Sequence, residues 1–236
     1  NGWRVDVRNI KLLLVSAVFG LTTLSIMAGS SRAALINYNF TGTAQTLVTG
    51  TPFDGTFSLG QSVSGSFVLD TSVADIDGDS TFGTFAGAIT SISVTIGSYI
   101  ASATGGDAQT ANDFAGNDDV TIAAFINSGP FAGSASVTGP SVGGLDLGGI
   151  LLSLQDSTLT ALTSDALPSP ISLSSFDSVF GFLDFFDPLD LGAQPTSLGF
   201  SLDSLETAIQ LSETDTLALF SLGLVGLQFA RRRRTA

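Results

Sequence analysis

Apolar and polar residues alternate with a period of two along most of the chain, the spacing of strands that bury one face. Ile36, Tyr38 and Phe40 share one face, and Val63, Gly65, Phe67 and Leu69 share another that ends at the turn Asp70-Thr71-Ser72. Ile92, Val94 and Ile96 alternate with Ser91, Ser93 and Thr95, which predicts an antiparallel strand with one wet face. The pattern continues through Val120 to Ile126, through Ile150, Leu152 and Leu154, and through Leu198, Phe200 and Leu202. Joints rich in Gly, Asp and Asn separate these runs: Asp75 to Asp79, Gly105-Gly106-Asp107, Asn117-Asp118-Asp119 and Gly143-Gly144. Many short strands with frequent turns predict an all-β body, an antiparallel β-sandwich or jelly roll. Two smaller sandwiches are the alternative, with Pro168-Ser169-Pro170 as the linker, although no internal repeat marks a duplication.

Both ends break this pattern. Arg4, Arg8 and Lys11 precede an apolar run from Leu12 to Met27, followed by Gly29-Ser30-Ser31-Arg32-Ala33-Ala34. A basic start, an apolar stretch and small residues at −3 and −1 describe a secretory signal peptide, 1–33, with Ser31 and Ala33 at the cleavage point. An uncleaved N-terminal anchor is the alternative. Near the C-terminus, Thr216 to Ala230 carries no charge and would make a helix of roughly 22 Å. That is short against a bilayer core of about 30 Å and would also suit a buried helix. Arg231, Arg232, Arg233 and Arg234 follow it directly, which favours a transmembrane helix ending in a cytoplasmic stop. The expected division is therefore 1–33 signal peptide, 34–211 extracellular β-body and 212–236 tail.

Charge sharpens this division. Every Lys and Arg lies in one of the two flanks, and none falls between Ala33 and Ala230. Of the 21 acidic residues only Asp6 precedes that interval, so the body is anionic with no internal counter-ion. Nucleic acid is excluded as a partner of the body, because nothing there could replace phosphate counter-ions. The chain contains no Cys, so no disulfide or thiolate metal site can form. It also contains no His, which removes the commonest general base and the commonest zinc ligand.

The polar segment Leu211-Ser212-Glu213-Thr214-Asp215, the short run Leu217-Ala218-Leu219-Phe220-Ser221-Leu222-Gly223-Leu224-Val225-Gly226-Leu227 and the closing arginines together resemble the PEP-CTERM sorting tail. Where that family carries Val-Pro-Glu-Pro, this chain has Leu211-Ser212-Glu213-Thr214, with Glu213 as the matching position. The resemblance implies recognition by an exosortase-like processing enzyme, passage through the export machinery and a transient membrane anchor. It also implies a Gram-negative cell surface or an extracellular matrix of exopolysaccharide or biofilm as the setting. A tail that only retains the protein in the inner membrane is the alternative. The stretch from Val63 to Ser72 has the look of the same family.

Candidate chemistry in the body is sparse. Asp75-Ile76-Asp77-Gly78-Asp79-Ser80 sets alternate carboxylates on a glycine-bearing turn. Such oxygens can converge on Ca²⁺ at about 2.3–2.6 Å, which makes Asp75, Asp77 and Asp79 the metal candidates. The twelfth position counted from Asp75 is Ala86, so an EF-hand loop is incomplete, and a solvated turn of Asp caps is the competing expectation. Asn112, Asp113, Asn117, Asp118 and Asp119 form a second oxygen-rich stretch of no recognised spacing. Phe176, Phe180, Phe182, Phe185 and Phe186 crowd around Asp177, Asp184 and Asp187. Core packing explains them best, with a sugar-stacking platform as the sharper alternative.

Without His there is no Ser-His-Asp triad, without Lys in the body no Ser-Lys pair, and no phosphate-cradling GxxxxGK motif occurs. Paired acids could serve glycoside hydrolysis, but among so many carboxylates a suggestive pair carries no weight. The expectation is a non-enzymatic surface or matrix protein. A Ca²⁺-dependent carbohydrate- or ligand-binding module is the alternative, and an extracellular hydrolase comes third.

Overall fold

The structure, a computed structural model, describes residues 35–47, 53, 55–128 and 131–209. Eleven strands follow in chain order: β1 (Leu35–Leu47), β2 (Ser62–Asp70), β3 (Phe82–Phe85), β4 (Ile89–Ile96), β5 (Tyr99–Thr104), β6 (Asp107–Phe114), β7 (Asn117–Phe125), β8 (Ser136–Thr138), β9 (Asp146–Asp156), β10 (Ser178–Phe186) and β11 (Thr196–Ile209). The helical content of the described residues is one 3₁₀ turn, Leu173–Ser175. The all-β expectation therefore holds. The strands form one antiparallel sheet in the order β3-β6-β7-β9-β10-β11-β1-β2-β4-β5-β8. Pro168-Ser169-Pro170 lies in the β9–β10 connection, and those two strands are paired neighbours in that sheet, so this segment does not join separate sandwiches.

The sheet is built around its first and last described strands. β1 pairs with β11 from Ile36↔Ile209 to Leu47↔Leu198, with two register shifts, and its other edge pairs with β2 from Leu35↔Asp70 to Thr43↔Ser62. Further out, tight hairpins join β4 to β5 and β6 to β7, since two extended segments joined by a tight turn meet at little entropic cost. The β4–β5 turn uses Gly97 at φ +60°, where a Cβ would also strike the Gln61 side chain. Asn117-Asp118-Asp119, expected as a joint, instead opens β7. The turn sits just before it, at Ala115 and Gly116, both with positive φ. The register explains the difference: Asp118 and Asp119 pair with Asp156 and Gln155 of β9, and those pairings hold both acids in extended backbone.

Alternation decides what is buried. Tyr38, Phe40, Val63, Phe67, Leu69, Ile92, Val94, Ile96, Val120, Ile122, Ile150, Leu152, Leu154, Leu198, Phe200 and Leu202 all lie in the core, as their spacing predicts. Gly65 faces Phe40 across β1 and β2, and any Cβ there would collide with the Phe40 ring. The sheet curls over this core. Tyr99 on β5 and Phe185 on β10 are remote in strand order, yet their ring centroids are 6.0 Å apart. Phe53 and Phe57, from the β1–β2 connection, fill the space between, at 5.0 Å from Phe185 and Tyr99 respectively. β4 and β5 likewise approach β7 and β9.

One polar contact deep in this core ties the long β9–β10 connection down. The Tyr38 ring stacks on Phe67 at 4.6 Å, and its hydroxyl accepts the Ile171 amide at 2.9 Å. Removing that oxygen strands a buried N–H, a loss of about 1–3 kcal/mol. Tyr38→Phe should accordingly lower the unfolding free energy measured in urea by that amount. An unchanged midpoint would show that the connection is held by other contacts.

Candidate functional site

The Asp75–Asp79 segment forms a chain of turns, each carboxylate capping an amide further on. Asp75 Oδ1 accepts the Asp77 amide at 2.8 Å and also the Thr84 amide of β3 at 2.8 Å. Asp77 Oδ1 accepts the Asp79 amide at 3.1 Å. Asp79 Oδ1 accepts the Thr81 amide at 2.9 Å and the Thr81 hydroxyl. The Thr81 hydroxyl, followed by its amide, holds the Asp79 carboxyl below the usual carboxylate range. These bonds match the solvated turn of Asp caps. Among the described residues no group of three or more acidic side chains is arranged to hold a metal ion.

The second oxygen-rich stretch divides between the two faces of the sheet. Asp118 points into the core and is fully covered, whereas Asp119 points outward beside Ser153 and Gln155. Asp113 sits in the turn at φ +56°, and its amide donates to Asp118 Oδ1 at 2.9 Å. The Asn112 side-chain oxygen is buried without a hydrogen-bond partner among the described residues.

The best-built polar centre joins Asp118, from that stretch, to Asp156, which lies outside the sequence candidates. Asp156 lies directly across from Asp118 on the core side of β7 and β9 and is 3 % exposed. Residues 157–161 wrap around it. Oδ1 accepts the Thr158 amide at 2.9 Å and the Thr158 hydroxyl at 2.6 Å, while Oδ2 accepts the Thr160 amide at 2.8 Å, the Thr160 hydroxyl at 3.1 Å and the Ala161 amide at 2.9 Å. Asp118 Oδ2 takes the next free donor, the Leu162 amide, at 2.9 Å. Two carboxylates with no cation beside them are thus balanced by oriented amides and hydroxyls. The Thr158 hydroxyl and then the Thr160 and Thr158 amides hold the Asp156 carboxyl far below the usual range. A signal for it exists in Asp156-Ser157-Thr158-Leu159-Thr160, an acid followed by closely spaced hydroxyl residues.

Two concavities lie near these strands. One, of about 330 Å³, is lined by Asp156, Thr158, Thr160, Ser174, Ser175, Phe176 and Asp177. Its acids are already occupied, since Asp177 Oδ2 accepts the Ser157 amide at 3.1 Å and the Ser157 hydroxyl. The other, of about 360 Å³, lies along β10 and β11 and includes Gln45, Phe180, Phe182 and Ser201. The phenylalanine cluster is split accordingly. Phe185 and Phe186 are buried, Phe176 is partly buried against the core, and Phe180 and Phe182 stand half-buried on the outer face. Asp184 continues that outer face, and burial raises its carboxyl pKa against the opposing bond from the Ser197 hydroxyl.

Ser31, Ala33, Glu213, Arg231, Arg232, Arg233 and Arg234, with the apolar segment 216–230, lie outside the described residues. Among the described residues no helix is long and apolar enough to cross a membrane.

Two experiments separate structural from metal-binding roles. Asp75→Ala removes both the Asp77 and the Thr84 bonds and should destabilise the body by about 1–2 kcal/mol. A structural role requires the same loss of melting temperature with and without a calcium chelator; a chelator-dependent loss would instead establish a calcium site. For Asp156 the folded pKa lies below the unfolded one, so its contribution is present at neutral pH and drains away as the solution is acidified below about pH 4. Asp156→Asn should therefore be destabilised most at neutral pH, and the gap from wild type should narrow progressively towards pH 2 in a melting series. A gap of constant size would assign the loss to packing alone.

No protein-family model matches this chain, and comparison with curated proteins and with solved structures finds no match.

Proposed function

We propose that this is an exported, non-enzymatic protein of a Gram-negative cell surface or extracellular matrix, associated there with exopolysaccharide. Residues 1–33 direct export, the curled sheet serves as a sandwich-like body, and residues 212–236 act as a PEP-CTERM-like sorting anchor for an exosortase-like enzyme. The observation that carries this is the distribution of cations. Basic residues precede the first apolar segment and directly follow the second, and the whole interval between Ala33 and Ala230 lacks Lys and Arg. A charge pattern of that kind follows the physics of membrane insertion, in which Lys and Arg set orientation and halt transfer. Within the body, the acids of the Asp156 centre hold loops in place, which suits a scaffold more than a reaction centre.

Intact-mass measurement of the protein recovered from native envelope and medium fractions tests the proposal. The expected mature form starts at Ala34, after cleavage between Ala33 and Ala34, and is found outside the cytosol. Recovery only from the cytosol, with residues 1–33 and the arginine tail uncut, would overturn it.

A further inference from the structure

We propose that the outer face of β10 and β11 is a docking face for an uncharged, hydroxyl-rich chain, a neutral polysaccharide. The inference rests on the export proposed above, since extended neutral glycans are met outside the cell.

Strand alternation is the starting point. Gly181, Leu183 and Phe185 turn inward and are buried, which sends Phe180, Phe182 and Asp184 to the opposite face. The solvent side of an antiparallel sheet ordinarily carries polar residues. Here two phenylalanines occupy the middle of the sheet, with β9 and β11 on either side, so neither serves to protect an edge. Their rings meet edge to face at 5.4 Å and remain half-buried. In register, Ser153 and Ser201 flank Phe180, while Phe182 stands between Gly199 of β11 and Leu151 of β9. Leu151 extends the apolar floor on the β9 side of Phe182, the β11 side carries only Gly199 and Ser201, and the rings floor the groove of about 360 Å³ whose rim includes Gln45 and Ser201.

Chemistry selects the occupant. Ring faces pack against the C–H face of a pyranose, while rim hydroxyls and the Gln45 amide can exchange hydrogen bonds with sugar hydroxyls. Charge eliminates the principal rivals. With no Lys or Arg between Ala33 and Ala230, a polymer bearing carboxylates, sulfates or phosphates would meet only repulsion. A second copy of the same anionic body is disfavoured for the same reason. An uncharged polyol chain brings no such penalty and still satisfies both halves of the groove, apolar floor and polar rim.

Affinity electrophoresis of the full chain in neutral detergent tests this. Native gels are cast with dextran, glucomannan or galactomannan, and with alginate as the anionic counterpart. Retardation by at least one neutral polymer, with none by alginate, is expected. Phe180→Ala and Phe182→Ala should each weaken that retardation roughly tenfold, the loss expected for one ring's stacking and burial. Phe182→Leu keeps the apolar volume without the ring and should weaken it as well, which covers the case of an alanine variant that fails to fold. Mobility unaffected by all three neutral polymers, equal retardation by alginate, or full retardation of Phe182→Leu would each overturn the proposal. A control gel containing a cationic peptide in place of glycan addresses a basic protein partner; retardation there alone would overturn it too. None of these outcomes alters the masses that test export.

Discussion

A body without a single cation has to stabilise its buried carboxylates with neutral donors. This constraint organises the structure around Asp156 and Asp118. In most proteins a covered acid is met by Arg or Lys, whose long side chains reach it from a distance. Backbone amides cannot reach, so the chain itself must come to the acid. The loop after β9 does this by folding over Asp156, and its next amide, that of Leu162, lands on Asp118. Loop conformation and acid position are thereby a single property of the molecule. The same economy shapes the exposed Asp75–Asp79 turns, where each acid caps a nearby amide.

The amide-based solution also affects what the surface can offer. Carboxylates such as Asp119 and Asp177 are already engaged with serine, threonine or glutamine donors from neighbouring strands and loops. The acidic composition therefore yields fewer free ligand groups than its number of acids implies. On the outer side of β10, Phe180 and Phe182 stand half-buried beside Asp184, whose carboxylate accepts the Ser197 hydroxyl.

How much of this was legible in the sequence depends on the range of each interaction. Strands such as β4 and β9 declare themselves, because period two is a local property and Ile92, Val94, Ile150 and Leu152 obey it. The pairing of β1 with β11 is not local; it joins residues such as Phe40 and Leu205, and no pattern in either strand names the other. The β7 start runs against local preference, because Asn and Asp ordinarily favour turns and only the pairing with β9 overrides that. The Phe180–Phe186 stretch shows the intermediate case. Its composition signals burial, but alternation within one strand divides the rings between two faces, and which face has a covering layer is decided by the distant curl of the sheet. Asp156 is half-legible for a similar reason: its donors are adjacent in sequence, yet its burial depends on β7 lying alongside.

The burial of Tyr38 and Tyr99 has a consequence for chemical durability. Met27 and Trp3 both precede Ala34, and the chain has no Cys or His, so these two phenols are the body's readily oxidised side chains. Both are folded away, at 0 % and 4 % exposure, the Tyr99 hydroxyl so far from water that its pKa is pushed up to about 12. Peroxide or radicals arriving from solvent would meet aliphatic, phenylalanine and hydroxyl groups first. A trypsin-like protease would likewise find no basic residue to cut after.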